Sequence, residues 1–203
     1  MRSKIVSSLE KCFHDESIGS KEELKTDSLL KNEIYSFQVC YDLETMVEDK
    51  QIVFFRVESP LAEVTKVYQV KSIPSMLPVH RGRTDENYLR TDAGLYPDLL
   101  EPIDSKTRLP AHNVLQAVWV ELDPRGAVPA GTYPVDCVFT DEAGQEIARN
   151  RLTLKMLDAS LPEQSLLYTQ WFYTDCLMQY YGTEAFDETH WRIIENFMGK
   201  FGL

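Results

Sequence analysis

Long apolar runs are missing from this sequence. No stretch of its 203 residues approaches the ~18 apolar residues that a membrane-spanning helix requires. The first residues, Met1-Arg-Ser-Lys4, are not followed by the apolar segment of a secretory leader. We therefore expect a cytoplasmic protein that has no membrane partner.

Basic residues are also scarce. Only 21 Lys and Arg stand against 32 Asp and Glu, which gives a net charge of -11. This charge repels a phosphate backbone, and no local cluster of Lys and Arg offsets it. Nucleic acid is therefore excluded as a partner. We interpret the charge as a source of solubility and not as the sign of a particular ligand.

Metal and redox motifs are lacking as well. The four cysteines, Cys12, Cys40, Cys137 and Cys176, show no CxxC spacing, and the four histidines lie far apart in the sequence. Each cysteine lies in an apolar or strand-like segment, where cysteine behaves as a small hydrophobic residue. We predict reduced, structural thiols, no metal site and no cofactor.

The sequence is instead rich in short alternating segments. Between residues 33 and 157, apolar residues repeatedly occupy every second position, and turn signals with Pro, Gly or Asp separate the segments. Residues 72–90 interrupt this pattern with an irregular excursion, and Lys4 to Phe13 fits a strand or a short helix equally well. About seven short strands predict a mainly β protein, with an immunoglobulin-like β-sandwich over residues 1–160.

The last 43 positions, residues 161–203, have a different character. The stretch from Leu166 to Phe172 is apolar on both faces, which is typical of a parallel strand in an α/β unit. A helix is predicted from Glu188 to about Met198, with Asp187 as its N-cap and Phe186 placed to pack against Trp191. We therefore predict one β/α unit of an incomplete (β/α)8 barrel after the sandwich.

Several ordered motifs follow one another along the chain. The run Leu161-Pro-Glu-Gln-Ser-Leu-Leu-Tyr-Thr-Gln-Trp-Phe-Tyr-Thr-Asp-Cys-Leu177, continued by Tyr180-Tyr181 and Phe186-Asp-Glu-Thr-His-Trp191, resembles the start of the catalytic domain of glycoside hydrolase family 123. Four upstream segments are similar to the β-sandwich domain that precedes it: Asn32–Val39, Gly94–Leu100, Trp119-Val-Glu121 and Pro129–Tyr133. The resemblance covers almost the whole chain. Tyr173 departs from the pattern, because many relatives have His after the Trp-Phe pair.

The resemblance implies a retaining β-N-acetylgalactosaminidase-like enzyme with substrate-assisted catalysis. An adjacent Asp-Glu pair on a later barrel strand orients the acetamide and acts as general acid/base, an exception to the usual two-carboxylate scheme. We expect that pair to lie beyond this chain, which therefore provides no catalytic residue. The sequence does contain four Asp-Glu dipeptides, which we interpret as solvated surface, turn or helix-capping residues: Asp15-Glu16, Asp85-Glu86, Asp141-Glu142 and Asp187-Glu188.

Five residues are candidates for substrate binding. Trp171, Tyr173 and Asp175 lie near the C-terminal end of the predicted barrel strand, where barrel enzymes place their sites. Asp175 alternatively caps a short helix over Cys176–Tyr181. Tyr96 and Asp98 belong to a segment that we expect to be a loop, either reaching the catalytic rim or joining the domains through its leucines.

Two further candidates have more ordinary explanations. Trp119 lies within a strand, where a core position is favoured over a sugar platform. His80, together with Arg81 and Arg83, could hold an anion, but a solvated loop is the favoured interpretation.

Two functions remain open from the sequence. In the first, the chain is the N-terminal, non-catalytic portion of a glycoside hydrolase acting on N-acetylhexosamine-containing glycans, and is inactive alone. In the second, it is a free-standing β-sandwich module that binds carbohydrate or a protein. The apolar tail would fold back onto the sandwich, stay poorly ordered or pair with a second copy, and we favour a homodimer.

Overall fold

The computed structural model describes residues 1–44, 51–76, 87–163, 165 and 172–200. The chain divides into two units, Met1–Pro162 and Glu163–Leu203. The first unit is a mainly β structure, and the second contains two short helices.

The described residues of the first unit form ten strands: β1 (Arg2–Ser7), β2 (Thr26–Leu29), β3 (Tyr35–Asp42), β4 (Gln51–Glu58), β5 (Thr65–Ser75), β6 (Gly94–Pro102), β7 (Leu109–Ala111), β8 (Gln116–Leu122), β9 (Gly131–Thr140) and β10 (Glu146–Met156). Sheet I has the strand order β1-β3-β8-β5-β6, and sheet II has the order β2-β10-β9-β4-β7. The strand pairs are antiparallel except β2 and β10, which run parallel. The predicted sandwich is therefore confirmed.

Apolar alternation places one face of each sheet in the core. In β3, Phe37 and Val39 lie opposite Val120 and Val118 of β8, and all four side chains are buried. Successive strand residues point to opposite faces, so this register directs one set of positions inward. At the centre, the Phe139 ring lies 5.0 Å from the Tyr41 ring and 4.9 Å from the Phe55 ring, centroid to centroid.

The segment that contains Tyr96 and Asp98 is a strand and not the predicted loop. It is the edge strand β6, which pairs with β5 alone. Lys71 lies opposite Leu99 but Ser72 lies opposite Pro97, so Asp98 is the extra residue of a bulge. A bulge breaks the two-residue period, and an edge strand tolerates proline, which explains why the sequence pattern missed this strand.

The outer face of sheet I is covered by residues 8–24, which we call the cover loop. A second apolar cluster forms beneath it from Val6, Cys12, Ile18, Cys40, Leu115 and Ala117. Lys4 Nζ donates hydrogen bonds to the carbonyl oxygens of Ile18 and Lys21, at 3.1 and 2.7 Å. Gln38 Nε2 donates to the carbonyl oxygen of Glu10 at 2.7 Å. Side chains on the outer face of sheet I, Lys4 of β1 and Gln38 of β3, therefore anchor the cover loop.

The expectation of four reduced thiols is wrong for two of them, because Cys12 and Cys40 form a disulfide. Cys12 comes from the cover loop and Cys40 from β3, and the sequence separation of 28 residues gave no spacing signal for this pair. Cys137 is a free, buried cysteine, as expected, whereas Cys176 is free and exposed. The disulfide forms part of the apolar cluster under the cover loop.

The second unit contains α1 (Asp175–Tyr181) and α2 (Glu188–Lys200) among its described residues. The start of α2 is as predicted: Asp187 Oδ1 accepts a hydrogen bond from the backbone N–H of His190 at 2.7 Å, and the rings of Phe186 and Trp191 lie 5.5 Å apart. His190 is buried, and its Nδ1 accepts from the Phe186 backbone N–H at 2.9 Å. Its Nε2 therefore carries the proton and donates to the carbonyl oxygen of Thr174 at 3.0 Å.

The predicted β/α unit is not evident among the described residues. Its strand lies outside them, apart from Phe172, which is not in a strand. Ile194 of α2 is buried, whereas Trp191 is 50% exposed. The apolar residues of α2 are thus partly buried and partly in solvent.

Candidate functional site

Three adjoining cavities form a groove between the cover loop and β6. Their volumes are about 330, 420 and 200 Å³. Arg90 and Tyr96 line both the first and the second cavity, and Lys11, Pro97 and Asp98 line both the second and the third. We call this combined feature the β6 groove. The first two volumes lie in the range of small-ligand sites, and the third is smaller.

Arg90 contacts the cover loop at one end of the β6 groove. Its guanidinium carbon lies 3.7 Å from the centre of the Phe13 ring, and the Tyr96 ring packs edge-on against Phe13 at 5.7 Å. Arg90 also forms an ion pair with Asp15 at 2.7 Å. The hydrogen bond from Arg90 lowers the pKa of the Asp15 carboxyl below its ordinary value. The cation is thus engaged with the cover loop, and one face of Phe13 is occupied.

Trp119 lines the third cavity of the groove, that of about 200 Å³. It lies on the outer face of sheet I, because its neighbours Val118 and Val120 point into the core. Its Nε1 atom is buried and has no hydrogen-bond partner among the described residues. A buried donor without an acceptor costs on the order of 1–3 kcal/mol. The predicted core position of Trp119 is therefore wrong, and the indole is a feature of the groove.

The third cavity combines apolar and polar walls. Val70, Leu100 and Pro97 provide apolar surface, whereas Lys11 and Asp98 bring one charge of each sign. In the described part of the chain, no ion pair engages the Lys11 ammonium or the Asp98 carboxylate. The cavity is therefore bordered by one residue that can donate hydrogen bonds and one that can accept them.

The wall of the groove is fixed by a buried cation. The Lys21 side chain is 5% exposed, and its Nζ lies 2.8 Å from Glu10 and 2.7 Å from Glu16. It also donates to the Lys11 carbonyl oxygen at 2.6 Å. Burial alone would lower the pKa of Lys21, but the hydrogen bonds of Glu10 and Glu16 outweigh it, and the pKa is raised. Lys21 therefore stays charged and ties the loop together.

Two of the five candidate residues, Tyr96 and Asp98, belong to the first unit. Tyr96 and Asp98 line the same cavity, and the Tyr96 hydroxyl donates to the carbonyl oxygen of Asp92. Tyr173 and Asp175 belong to the second unit and are exposed, and Trp171 lies outside the described residues. Asp175 is not the helix cap: the cap residue of α1 is Thr174, and Asp175 lies in the first turn. An acidic residue there is favoured by the helix dipole.

Sequence reasoning missed most of the groove. Phe13 and Lys11 lay in a segment of ambiguous structure, and Arg90 lay in the irregular excursion. No local motif indicates these contacts, because they join distant parts of the chain. Arg90 and Asp15, for example, are 75 positions apart. His80, Arg81 and Arg83, considered for anion binding, lie outside the described residues.

The described residues contain no group of three or more His, Cys, Asp or Glu side chains that could hold a metal ion. They also contain no helix that is both long and apolar enough to cross a bilayer.

The first unit is thus a two-sheet sandwich with a groove beside β6, and the fold of the chain resembles part of a known hydrolase. The chain superimposes on a family 123 glycoside hydrolase from Clostridium perfringens, a structure reported for glycolipid glycan hydrolysis, with a TM-score of 0.73 over 98% of its length. The sequence identity is 13%, and the chain spans 35% of that hydrolase, in its N-terminal part. At this identity the likeness shows the fold alone.

Other comparisons give weak matches or none. The N-terminal domain of PorA matches at a TM-score of 0.36, with 10% identity, covering 78% of this chain and 100% of that one. An enzyme of alchivemycin A macrocyclisation, AvmM, matches at 0.41, with 9% identity, covering 81% of this chain and 92% of that one. No family model matches the sequence, and no curated protein does.

Proposed function

We propose that this chain is the N-terminal, non-catalytic portion of a family 123 glycoside hydrolase that acts on N-acetylhexosamine-containing glycans. The observation that carries the proposal is the fold correspondence over 98% of the chain with about a third of the Clostridium perfringens hydrolase. The ordered sequence motifs described above support the same assignment. In this proposal the sandwich is immunoglobulin-like, and residues 161–203 begin a (β/α)8 barrel.

The acid/base pair of the reaction would lie outside this chain. Asp15 is held by Arg90, and Asp187 caps α2. Asp141 accepts hydrogen bonds from the backbone N–H groups of Ala143 and Gln145, which makes it a turn residue. Asp85-Glu86 lies outside the described residues. The described dipeptides therefore have structural roles, which supports a non-catalytic chain.

We expect the 203-residue chain to show no hydrolysis of an aryl N-acetyl-β-galactosaminide or N-acetyl-β-glucosaminide. Substrate-assisted catalysis needs an acid/base and an acetamide-orienting carboxylate held together in one closed site. Release of the aryl group, followed by absorbance against a substrate-only blank, checks this expectation. Turnover that Asp175→Asn abolishes would place the catalytic machinery in this chain and overturn the proposal.

The coding sequence provides a second test of the proposal. If the reading frame continues past Leu203, the proposal expects further β/α repeats and an Asp-Glu pair at the end of a later strand. A native stop codon directly after Leu203 would instead favour the free-standing β-sandwich module.

We also propose that the second unit mediates a homodimer. Phe186, Trp191 and Met198 are exposed on or beside α2. Burying one large apolar side chain contributes about 1.5–3 kcal/mol, so an interface that covers these three is favoured.

Sedimentation at tens of micromolar would test this association. We expect the full chain to dimerise and Trp191→Ser to shift the equilibrium toward monomer, because the indole surface is lost. Leu9→Ser is the control, because it removes an apolar residue of the first unit that is 90% exposed, against 50% for Trp191. A monomeric full chain, or equal dimerisation of Trp191→Ser and the native chain, would contradict the proposal.

A further inference from the structure

We propose that His190 is a pH-sensitive latch, which holds the start of α2 closed while its ring is neutral and releases it when the ring takes up a proton. The latch lies within the second unit and rests on the hydrogen bonds of one buried side chain. It would operate whether or not the chain belongs to a hydrolase, so it goes beyond the proposed function.

The two hydrogen bonds of the His190 ring require its neutral form. His190 is 1% exposed, and its Nδ1 atom accepts from the Phe186 backbone N–H at 2.9 Å. Its Nε2 atom lies 3.0 Å from the Thr174 carbonyl oxygen, which can only accept. A protonated imidazole carries hydrogen on both nitrogens. Two donors would then face each other at Nδ1, and the Phe186 N–H would lose its acceptor.

The backbone that this hydrogen bond holds is strained. Phe186 has a φ of 60°, in the left-handed region that a bulky residue rarely adopts. Such a conformation persists only where the surrounding contacts over-determine it. Here the contacts are the bond to Nδ1 and the packing of the Phe186 ring against the rings of His190 and Trp191, at 5.4 and 5.5 Å. Loss of the bond to Nδ1 therefore allows the turn to relax.

The position of His190 in α2 adds a second cost for the cation. His190 lies in the first turn of the helix, where its backbone N–H donates to the cap residue Asp187. The helix dipole places partial positive charge at this end, because the first N–H groups have no partner within the helix. A positive charge on the ring is therefore disfavoured there.

Nearby carboxylates do not reverse this preference. Asp187 directs its two oxygens at the backbone N–H groups of His190 and Glu184, at 2.7 and 3.3 Å. Among the described residues of this unit, no ion pair engages the ring. Solvent screens exposed charges, whereas the donor–donor contact at Nδ1 would be direct. The charged residues on the segments that contact the ring are all exposed: Asp175, Glu184, Asp187, Glu188, Arg192 and Glu195.

Acid therefore favours the open form of this turn. The open form binds a proton near pH 6.5, as an ordinary histidine does, and the closed form excludes it. Because the open form binds more protons, the stability of the closed form falls as the pH falls. Between about pH 7.5 and pH 5, the ratio of open to closed molecules should rise up to about 30-fold.

The test uses the full 203-residue chain, labelled with ¹⁵N. Two-bond ¹H–¹⁵N correlation spectra at neutral pH identify the His190 tautomer, and we expect the proton on Nε2. Amide hydrogen exchange is then followed over the same pH range and expressed as protection relative to the unfolded-chain rate at each pH. Protection in α2 should fall up to about 30-fold, and protection in β9 should stay constant, because carboxylates ordinarily titrate only near pH 4.

His190→Gln supplies a latch that does not titrate. A glutamine in the first turn can reach back to an upstream backbone N–H, as in a capping box, and it carries both an acceptor and a donor. We expect this variant to keep α2 folded and to lose the pH dependence. His112→Gln, which removes a histidine of the first unit, is the matched control and should respond to pH as the native chain does.

The proposal is overturned if protection in α2 is the same across the pH range, or if the His190 proton lies on Nδ1 at neutral pH. It is also overturned if β9 loses protection equally, since the response to acid is then global, or if His190→Gln keeps the native pH dependence. If His190→Gln does not fold, the tautomer and the two protection profiles of the native chain decide the outcome.

Discussion

Phe139→Ala is expected to lower the free energy of unfolding by about 3–5 kcal/mol. The ring is fully buried and packs against Tyr41 and Phe55, which come from sheets I and II respectively. Its removal leaves a cavity where the two sheets meet, and rigid strands cannot move inward far enough to fill it. Since a domain is stable by only about 5–15 kcal/mol, the loss is a large part of the total.

Chemical denaturation of the native chain and the variant measures this difference. Phe139→Leu is the matched control, because it keeps apolar volume at the site and should cost roughly 1–1.5 kcal/mol. An Ala variant that loses no more than the Leu variant would show that the aromatic centre of the core is packed differently from the structure described above.

Lys21→Met is expected to lower the free energy of opening of the cover loop by about 1–3 kcal/mol, with little effect on the stability of the core. The ammonium forms ion pairs with Glu10 and Glu16 and donates a hydrogen bond to the Lys11 carbonyl oxygen. Without it, the two carboxylates repel each other and the carbonyl loses its donor. The cost stays below that of a fully buried ion pair, because Glu10 and Glu16 are 39% and 31% exposed and can turn toward water.

Amide hydrogen exchange resolves this effect by position. Protection should fall about 5–150-fold in residues 8–24 and stay unchanged in β9, since the loop opens by itself. Lys25→Met is the matched control, because Lys25 pairs with Glu23 in a solvent-exposed setting where such pairs contribute little. Equal protection in Lys21→Met and Lys25→Met would mean that other contacts, such as the disulfide to Cys40, hold the loop without Lys21.

Regular alternation made most of the sandwich predictable. Strands β3, β4, β5, β8, β9 and β10 follow from it, because each has one face in the core and one outside. β2 and β7 have four and three residues, too few to show a period. β6 lost its period to the bulge at Asp98. Regular core strands were thus visible in the sequence, and short or bulged edge strands were not.

The site was less predictable than the fold for a different reason. Tyr96 and Asp98 were identified from a sequence resemblance, but Lys11, which lines a cavity with both, comes from the cover loop, and Trp119, which lines one with Asp98, comes from β8. Their meeting depends on the covering of the outer face of sheet I, and sequence periodicity carries no information about which segment covers a face. The Cys12–Cys40 pair was missed for the same reason.

The parallel pairing of β2 with β10 has a consequence for how the chain folds as it is synthesised. β2 ends at Leu29, but its partner residues extend to Met156. At ~5–20 residues per second, a ribosome needs roughly 6–25 s to make the intervening chain. Sheets built from such distant pairs also form slowly once the chain is complete. Until β10 is made, β2 has no strand to pair with, so the nascent sandwich is closed by its last strand.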